Sequence, residues 1–287
     1  MNDELARLVT RLNGLLDHAQ SWLPEMQPTD WAAPAFRWRR HGMAGWLEGI
    51  SELPDIRLGD LQNIDEQKKL LLQNTAQFVA GFTANNVLLT GARGCGKSSL
   101  VKALLPEFYE QGLRLIEVDK DNLGDLPQLQ QQLRDKSNRY IIFCDDLSFE
   151  EGDAGYKALK VALDGSLLSP RENLLIYATS NRRHLVPEYL GENEQTSHLG
   201  GEIHPAESVD DKIALSERFG LWLSFYPFDQ DEYLTAVQQW LEHYDFSGWN
   251  DSVRRAALQW SQMRGARSGR TALQFARDWA GRQQAHR

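Results

Sequence analysis

With only two cysteines in 287 residues, Cys95 and Cys144, the chain cannot be held by a disulfide framework, and a reducing cytoplasm is the expected setting. No stretch approaches the roughly 18 consecutive apolar residues of a membrane span, so no spanning helix is expected. The opening Met1-Asn2-Asp3-Glu4-Leu5 has neither a basic nor an apolar leader region, and secretion is not expected either. Basic residues are also short. A formal charge of −9 argues against a surface that coats nucleic acid broadly, though not against a local basic patch. Such a patch closes the chain, where Arg254, Arg255, Arg264, Arg267, Arg270, Arg277, Arg282 and Arg287 face only Asp251 and Asp278. It reads as a solvated helical face with some arginines turned to a nucleotide, in preference to a nucleic-acid site. What the chain does have is core: 41% hydrophobic content and nine Trp, in a length of about two domains.

The most specific feature is Gly91-Ala92-Arg93-Gly94-Cys95-Gly96-Lys97-Ser98, the spacing of a phosphate-cradling loop. Its context fits: Asn86-Val87-Leu88-Leu89-Thr90 upstream reads as a buried strand, and Ser99-Leu100-Val101-Lys102-Ala103-Leu104-Leu105 downstream as a helix. Glycines let successive N–H groups point inward, and the helix N-terminus adds partial positive charge. Lys97 would reach the β and γ phosphates, and Ser98 would offer its hydroxyl to Mg2+. The phosphate-binding set is then Gly91, Ala92, Arg93, Gly94, Cys95, Gly96, Lys97, Ser98 and Ser99.

Before the loop, leucines at helical spacing give way to Pro24, Pro28 and Pro34, and Trp31, Phe36, Trp38 and Trp46 interleave with arginines. Residues 1–56 read as an appended module. Its segment Phe36-Arg37-Trp38-Arg39-Arg40-His41 either stacks bases and holds phosphates or docks its aromatics onto the main domain, the commoner use. Asp65 to Gly81 reads as one helix with Leu70, Leu71, Phe78 and Val79 as its apolar stripe. Strands at 86–90, Leu113–Val118, Tyr140–Cys144 and Leu174–Ala178 then alternate with helices, one of them Gln-rich at 126–136. That alternation implies an α/β fold with a parallel sheet between helical layers over 57–228. After Pro227 only helical periodicity remains, near 229–244, 250–263 and 269–284, which predicts a C-terminal helical lid over 229–287. The stretch Gly191 to Ser208 reads as a mobile loop.

Tyr140-Ile141-Ile142-Phe143-Cys144 ends in Asp145-Asp146, at the carboxyl end of a strand where ligand crevices of such sheets lie. Asp145 would hold Mg2+ and Asp146 would polarise the attacking water, with Glu150 the other candidate base. Asn181, at the end of the next strand, could orient that water. Arg218 precedes the apolar Leu221-Trp222-Leu223, and Arg270 opens the last helix.

This order of features resembles AAA+ ATPases. More narrowly, Asn74-Thr75, Phe78, Gly81, Asn85-Asn86-Val87-Leu88-Leu89, Gly91-Ala92-Arg93-Gly94 and Ser216-Glu217-Arg218-Phe219-Gly220-Leu221-Trp222-Leu223 resemble the bacterial family labelled domain of unknown function 815, through nearly the whole chain. The resemblance implies an AAA+ three-layer parallel sheet with a helical lid, and Mg-ATP as cofactor. It implies Walker A roles for Lys97 and Ser98 and Walker B roles for Asp145 and Asp146. It further implies sensor 1 at Asn181, a trans-acting arginine finger at Arg218 in a homo-oligomer, and sensor 2 at Arg270. The family pattern prefers Asp-Glu where this chain has Asp145-Asp146, and a base shorter by one methylene bears on turnover more than on binding. Two functions follow as expectations. One is an ATPase doing conformational work on a protein or nucleic-acid partner; the other is a slowly hydrolysing switch, loader or scaffold.

Overall fold

A computed structural model describes residues 28–42, 44–149, 153–164, 173–181 and 215–285. Seven strands form one sheet: β1 (Ala35–His41), β2 (Ala44–Ile50), β3 (Val87–Gly91), β4 (Leu113–Glu117), β5 (Arg139–Cys144), β6 (Leu174–Ser180) and β7 (Leu221–Phe225), in the order β2-β1-β4-β5-β6-β3-β7. All neighbours pair in parallel except the β1–β2 hairpin. The central strands are apolar along their length because both faces are covered. On β5, Tyr140, Ile142 and Cys144 enter one core cluster while Ile141 and Phe143 enter the other. Helices α1 (Asp65–Val79) and α2 (Lys97–Phe108) fill the second face through Leu71, Phe78 and Leu100. Helices α3 (Leu126–Gln132) and α4 (Ala154–Asp164) cover the first through Leu126, Leu129 and Leu159. The expected three-layer α/β sheet is therefore present.

A third core belongs to α5 (Gln230–His243), α6 (Asp251–Arg264) and α7 (Gly269–Ala285), packed around Tyr233, Val237, Ala257 and Phe275. Its boundary is chemically marked. The Asp229 carboxylate accepts from Glu232 N, and the Glu232 carboxylate accepts from Asp229 N, a reciprocal cap that starts α5 beyond Pro227. Asn250 caps α6 by accepting from Ser252 N and Val253 N, and Gly265, at φ 65°, ends it.

The expected boundary at residue 56 is corrected by the sheet. Residues 35–50 are two of its strands: Ala35, Phe36 and Arg37 pair with Leu115, Ile116 and Glu117. Phe36 and Trp38 are fully buried, so these two rings dock into the sheet domain, the commoner of the two uses, and are not offered to nucleic-acid bases. The alternation of Phe36 and Trp38 with Arg37 and Arg39 is a period-2 strand pattern, with arginines on the wetter face. Trp38 lies over Gly45, where any β-carbon would stand 2.2 Å from the indole, and its Nε1 donates to Asp125 at 3.0 Å. Trp38→Ala is accordingly expected to cost about 3–5 kcal/mol in urea unfolding of the whole sheet domain. A separate module would leave the main transition unmoved.

Two smaller corrections concern helices. Leu70 is exposed and lies off the buried stripe of α1, which runs through Leu71, Asn74, Thr75 and Phe78. The helix α4 was not anticipated between β5 and β6. The 191–208 stretch and Glu150 lie outside the described residues.

Candidate functional site: a phosphate loop facing two acids and a strand-end amide

The strand β3 ends where the chain must bend sharply. Gly91 sits at φ 124°, and a β-carbon there would fall 1.9 Å from the carbonyl oxygen of Phe225 on β7. Gly94 and Gly96 follow at φ 77° and 95°, and Gly96 is the N-cap of α2. The loop is thus committed to left-handed backbone at three glycines, which turns main-chain amides toward the space ahead of the helix.

Lys97, the first residue of α2, is buried, with 6% of its surface exposed. Its Nζ donates to Gly91 O at 2.8 Å, Ala92 O at 2.8 Å and Asn181 Oδ1 at 3.0 Å, which uses all three ammonium protons. Burial pulls its pKa below the ordinary lysine value, against the opposing fields of Cys95, Asp146 and Asp145. Cys95 is buried in the same loop, and burial raises its pKa; Cys144, fully buried, is pushed up to about 12. Both thiols stay protonated near neutral pH and serve as packing.

The acids arrive from β5 and are organised by β6. Asp145 Oδ1 accepts from Ser98 Oγ at 2.5 Å and from Thr179 Oγ1 at 2.6 Å, and Thr179 Oγ1 accepts in turn from Asp146 N at 2.9 Å. Asp146 holds a left-handed backbone, φ 52°, which aspartate tolerates better than most residues. Asn181 donates through Nδ2 to Asp146 Oδ1, so one amide joins Lys97 to Asp146. This convergence follows from strand order. Because β6 lies between β3 and β5, the ends of β5 and β6 stand beside the loop that leaves β3.

These groups line one cavity of about 510 Å3 between the sheet and the C-terminal helices. Its polar lining includes Lys97, Ser98, Asp145, Asp146, Asn181 and Arg270; its apolar lining includes Ile56, Leu61, Ile64, Phe228, Trp240 and Leu273. The α7 side is docked on the loop itself, with Arg270 N donating to Gly94 O at 3.1 Å. A β-carbon on Gly94 would stand 2.7 Å from Ser268 Oγ, so glycine permits that approach. Among the described residues no group of three or more His, Cys, Asp or Glu gathers as a metal cage. The donors that do gather, one hydroxyl and one carboxylate, suit a Mg2+ ion that keeps most of its water and completes its shell with phosphate.

Of the expected site residues, Arg93 through Ser99, Asp145, Asp146, Asn181 and Arg270 border the cavity. Gly91 and Ala92 contribute carbonyls to Lys97 from just outside it. Arg218 does not border it; its Nε is paired with Asp164 Oδ1 at 2.5 Å. Sequence reasoning missed Thr179, which positions both acids, and the apolar lining. A polar Thr179-Ser180 closing the otherwise apolar β6 was the available signal for the first. Leu61 and Ile64 carry none, because they precede α1 without periodicity.

Residues 31–283 match the family described as a protein of unknown function (DUF815). The chain belongs to that family. This DUF815 member also shares its fold with solved structures, at low identity. The structure of the Aeropyrum pernix Orc1 protein in complex with DNA matches with a TM-score of 0.56 at 15% identity, covering 82% of this chain and 63% of that one. A point mutant of Thermotoga maritima RuvB matches with a TM-score of 0.51 at 16% identity, covering 76% of this chain and 61% of that one. The DUF815 chain therefore matches less than two thirds of either structure. What is shared is the fold, a mostly parallel sheet flanked by helices with a C-terminal helical region. No curated protein matches the sequence. Among the described residues no helix of the DUF815 chain is long and apolar enough to cross a membrane.

Proposed function

We propose that this protein binds Mg-ATP in the cavity between its sheet and its helical unit, hydrolyses it to ADP and phosphate, and couples the cycle to conformational work on a macromolecular partner. The observation that carries the reading is the convergence of Lys97, Ser98, Asp145, Asp146, Asn181 and Arg270 on one cavity that is also lined by apolar side chains. A triphosphate needs the first set and a nucleobase the second. The volume is within the usual range for small-molecule sites.

Lys97 and the loop amides from Arg93 to Ser99 would hold the phosphates. Ser98 and Asp145 would hold Mg2+, which when bound spreads the negative charge of the β and γ phosphates. Asp146 would accept a proton from the attacking water, and Asn181 would orient that water through its existing bond to Asp146. Catalysis of this kind rests on positioning and charge compensation. Arg270, tied to Gly94 through its main chain, would report nucleotide occupancy to α7. Arg218 would act on the nucleotide cavity of a neighbouring copy, since it does not border that of its own chain.

A slower, partner-controlled switch is favoured by one observation: Asp146 is shorter than the glutamate usual there, and its carboxylate is already held by Asn181. Both readings place the reaction in a reducing cytoplasm. Protein or nucleic acid is the class of partner, and the fold shared with an Orc1 structure solved with DNA makes DNA a reasonable first probe. Asp146→Asn is expected to keep the affinity for a fluorescent ATP analogue while lowering single-turnover hydrolysis by about 10²–10⁴-fold. Unchanged hydrolysis would remove Asp146 from the mechanism. Stimulation of the wild type by single-stranded DNA or cell extract, from near silence, would select the switch.

A further inference from the structure

Beside the phosphate loop lies a second cavity of about 490 Å3, bordered by Ala92 and Arg93 on one side and by the end of α6 and the α6–α7 turn on the other. Its polar lining is Arg93, Gln262, Arg267 and two serines, with no carboxylate. The serines are engaged already: Ser261 Oγ donates to Leu258 O, and Ser268 Oγ pairs with Thr271 Oγ1. Arg93, Gln262 and Arg267 are exposed, and their side chains form no hydrogen bond or ion pair among the described residues.

The same chemistry continues along α6. Val253, Ala257 and Ser261 face the helical core, whereas Arg255, Gln259 and Gln262 are exposed on the opposite side. Their i, i+4, i+7 spacing puts successive donors about 6 Å and about 4.5 Å apart along the axis. In a chain of net charge −9, this face carries guanidinium and amide donors with one carboxylate, Asp251, at the far end of the helix from the cavity.

The geometry points to a phosphodiester-binding track, in which Arg255, Arg267 and the amides between them hold the backbone of a single-stranded nucleic acid that ends against Arg93. Successive donors along one face suit a polymer with one negative charge per unit. A folded acidic protein would want an apolar anchor in the cavity, where Phe228 is buried; the exposed Met263 and Tyr226 lie outside its lining. The buried Phe36 and Trp38 are not available to stack bases. Backbone contacts on α6 require no such rings.

Arg93 borders both cavities, so a strand held here touches the loop that holds phosphate. That coupling rests on the ATPase reading; the binding itself does not. The test is fluorescence anisotropy of a short labelled single-stranded oligonucleotide with the full chain, without nucleotide, at rising salt. The wild type is expected to bind, and the Arg255→Ala/Arg267→Ala double variant to bind roughly tenfold or more weakly, with a salt slope lower by about 1.4. Lysine at both positions should restore most of the affinity, and thermal unfolding should match wild type because both residues are exposed. Absence of binding at low salt, equal binding by the alanine variant, or displacement by polyglutamate as effective as by unlabelled oligonucleotide would each overturn the proposal, the last in favour of an acidic protein. Uptake of a fluorescent ATP analogue, read separately, keeps the fate of the nucleotide site distinct from this one.

Discussion

Lys97→Ala is expected to abolish measurable uptake of a fluorescent ATP analogue and to lower hydrolysis by about 10³-fold or more. The ammonium is the one cation inside the loop with all three protons directed by short hydrogen bonds, two of them to carbonyls of the loop itself. A triphosphate would exchange those neutral acceptors for charged ones. Hydrogen bonds to charged groups are worth about 1.5–3 kcal/mol each, and more where water is excluded and charge grows in the transition state. Stability should move much less. Alanine removes the cost of burying a charge at the same time as it leaves Gly91 O and Ala92 O without a donor, and the two effects oppose. Equilibrium unfolding beside nucleotide titration separates the outcomes, and tight ATP binding by the variant would end the nucleotide reading.

The depressed pKa of Lys97 adds a pH dependence. In the free protein the proton leaves below the ordinary lysine range, so ATP affinity should begin to fall at a lower alkaline pH than an exposed lysine would dictate. The stability of the nucleotide-free protein moves the other way. Between the folded and unfolded pKa values the unfolded chain binds more protons, so this group's contribution rises with pH through that window.

Arg218→Ala is the second large effect. An arginine supplied across a subunit boundary compensates charge on the transferring phosphoryl group and is worth about 10³–10⁵ in rate. The variant should bind nucleotide like wild type yet hydrolyse it slower by that order, and only where wild type itself is assembled. The lost pair with Asp164, which is partly exposed, should itself cost only about 0–1 kcal/mol of stability. Mixing gives the sharper measurement. Lys97→Ala and Arg218→Ala chains should regain activity when co-assembled, since an intact Lys97 site can then face an intact Arg218. Wild-type turnover by Arg218→Ala, or no recovery on mixing, would count against action in trans.

Several elements could be read directly from the chain. The three C-terminal helices fall within a residue or two of their expected spans, because three apolar stripes of period 3.6 are bounded by Asp229, Asn250 and Gly265, residues whose capping chemistry is local. The phosphate loop was equally legible, since left-handed glycines next to Lys97-Ser98 declare a backbone shape without help from distant residues. The strands β1 and β2 were misassigned. Alternating arginines resemble a nucleic-acid segment until it is known that Phe36 and Trp38 point into a core built from β4, β5 and α3. Thr179 escaped notice because its role depends on Asp145, which approaches from another strand.

The sequence by itself determined which residues could make phosphate and metal chemistry, where helices start and stop, and that a parallel sheet precedes a helical unit. Those properties depend on side-chain type, glycine conformation and hydrophobic period, all defined within a dozen residues or so. Only the tertiary structure decided that β6 lies between β3 and β5, that the β1–β2 hairpin extends the sheet beyond β4, and that α7 docks on Gly94. Strand order and docking are set by pairings between segments far apart in the chain. Many orders satisfy the same local pattern, and burial on both faces of the sheet selects among them.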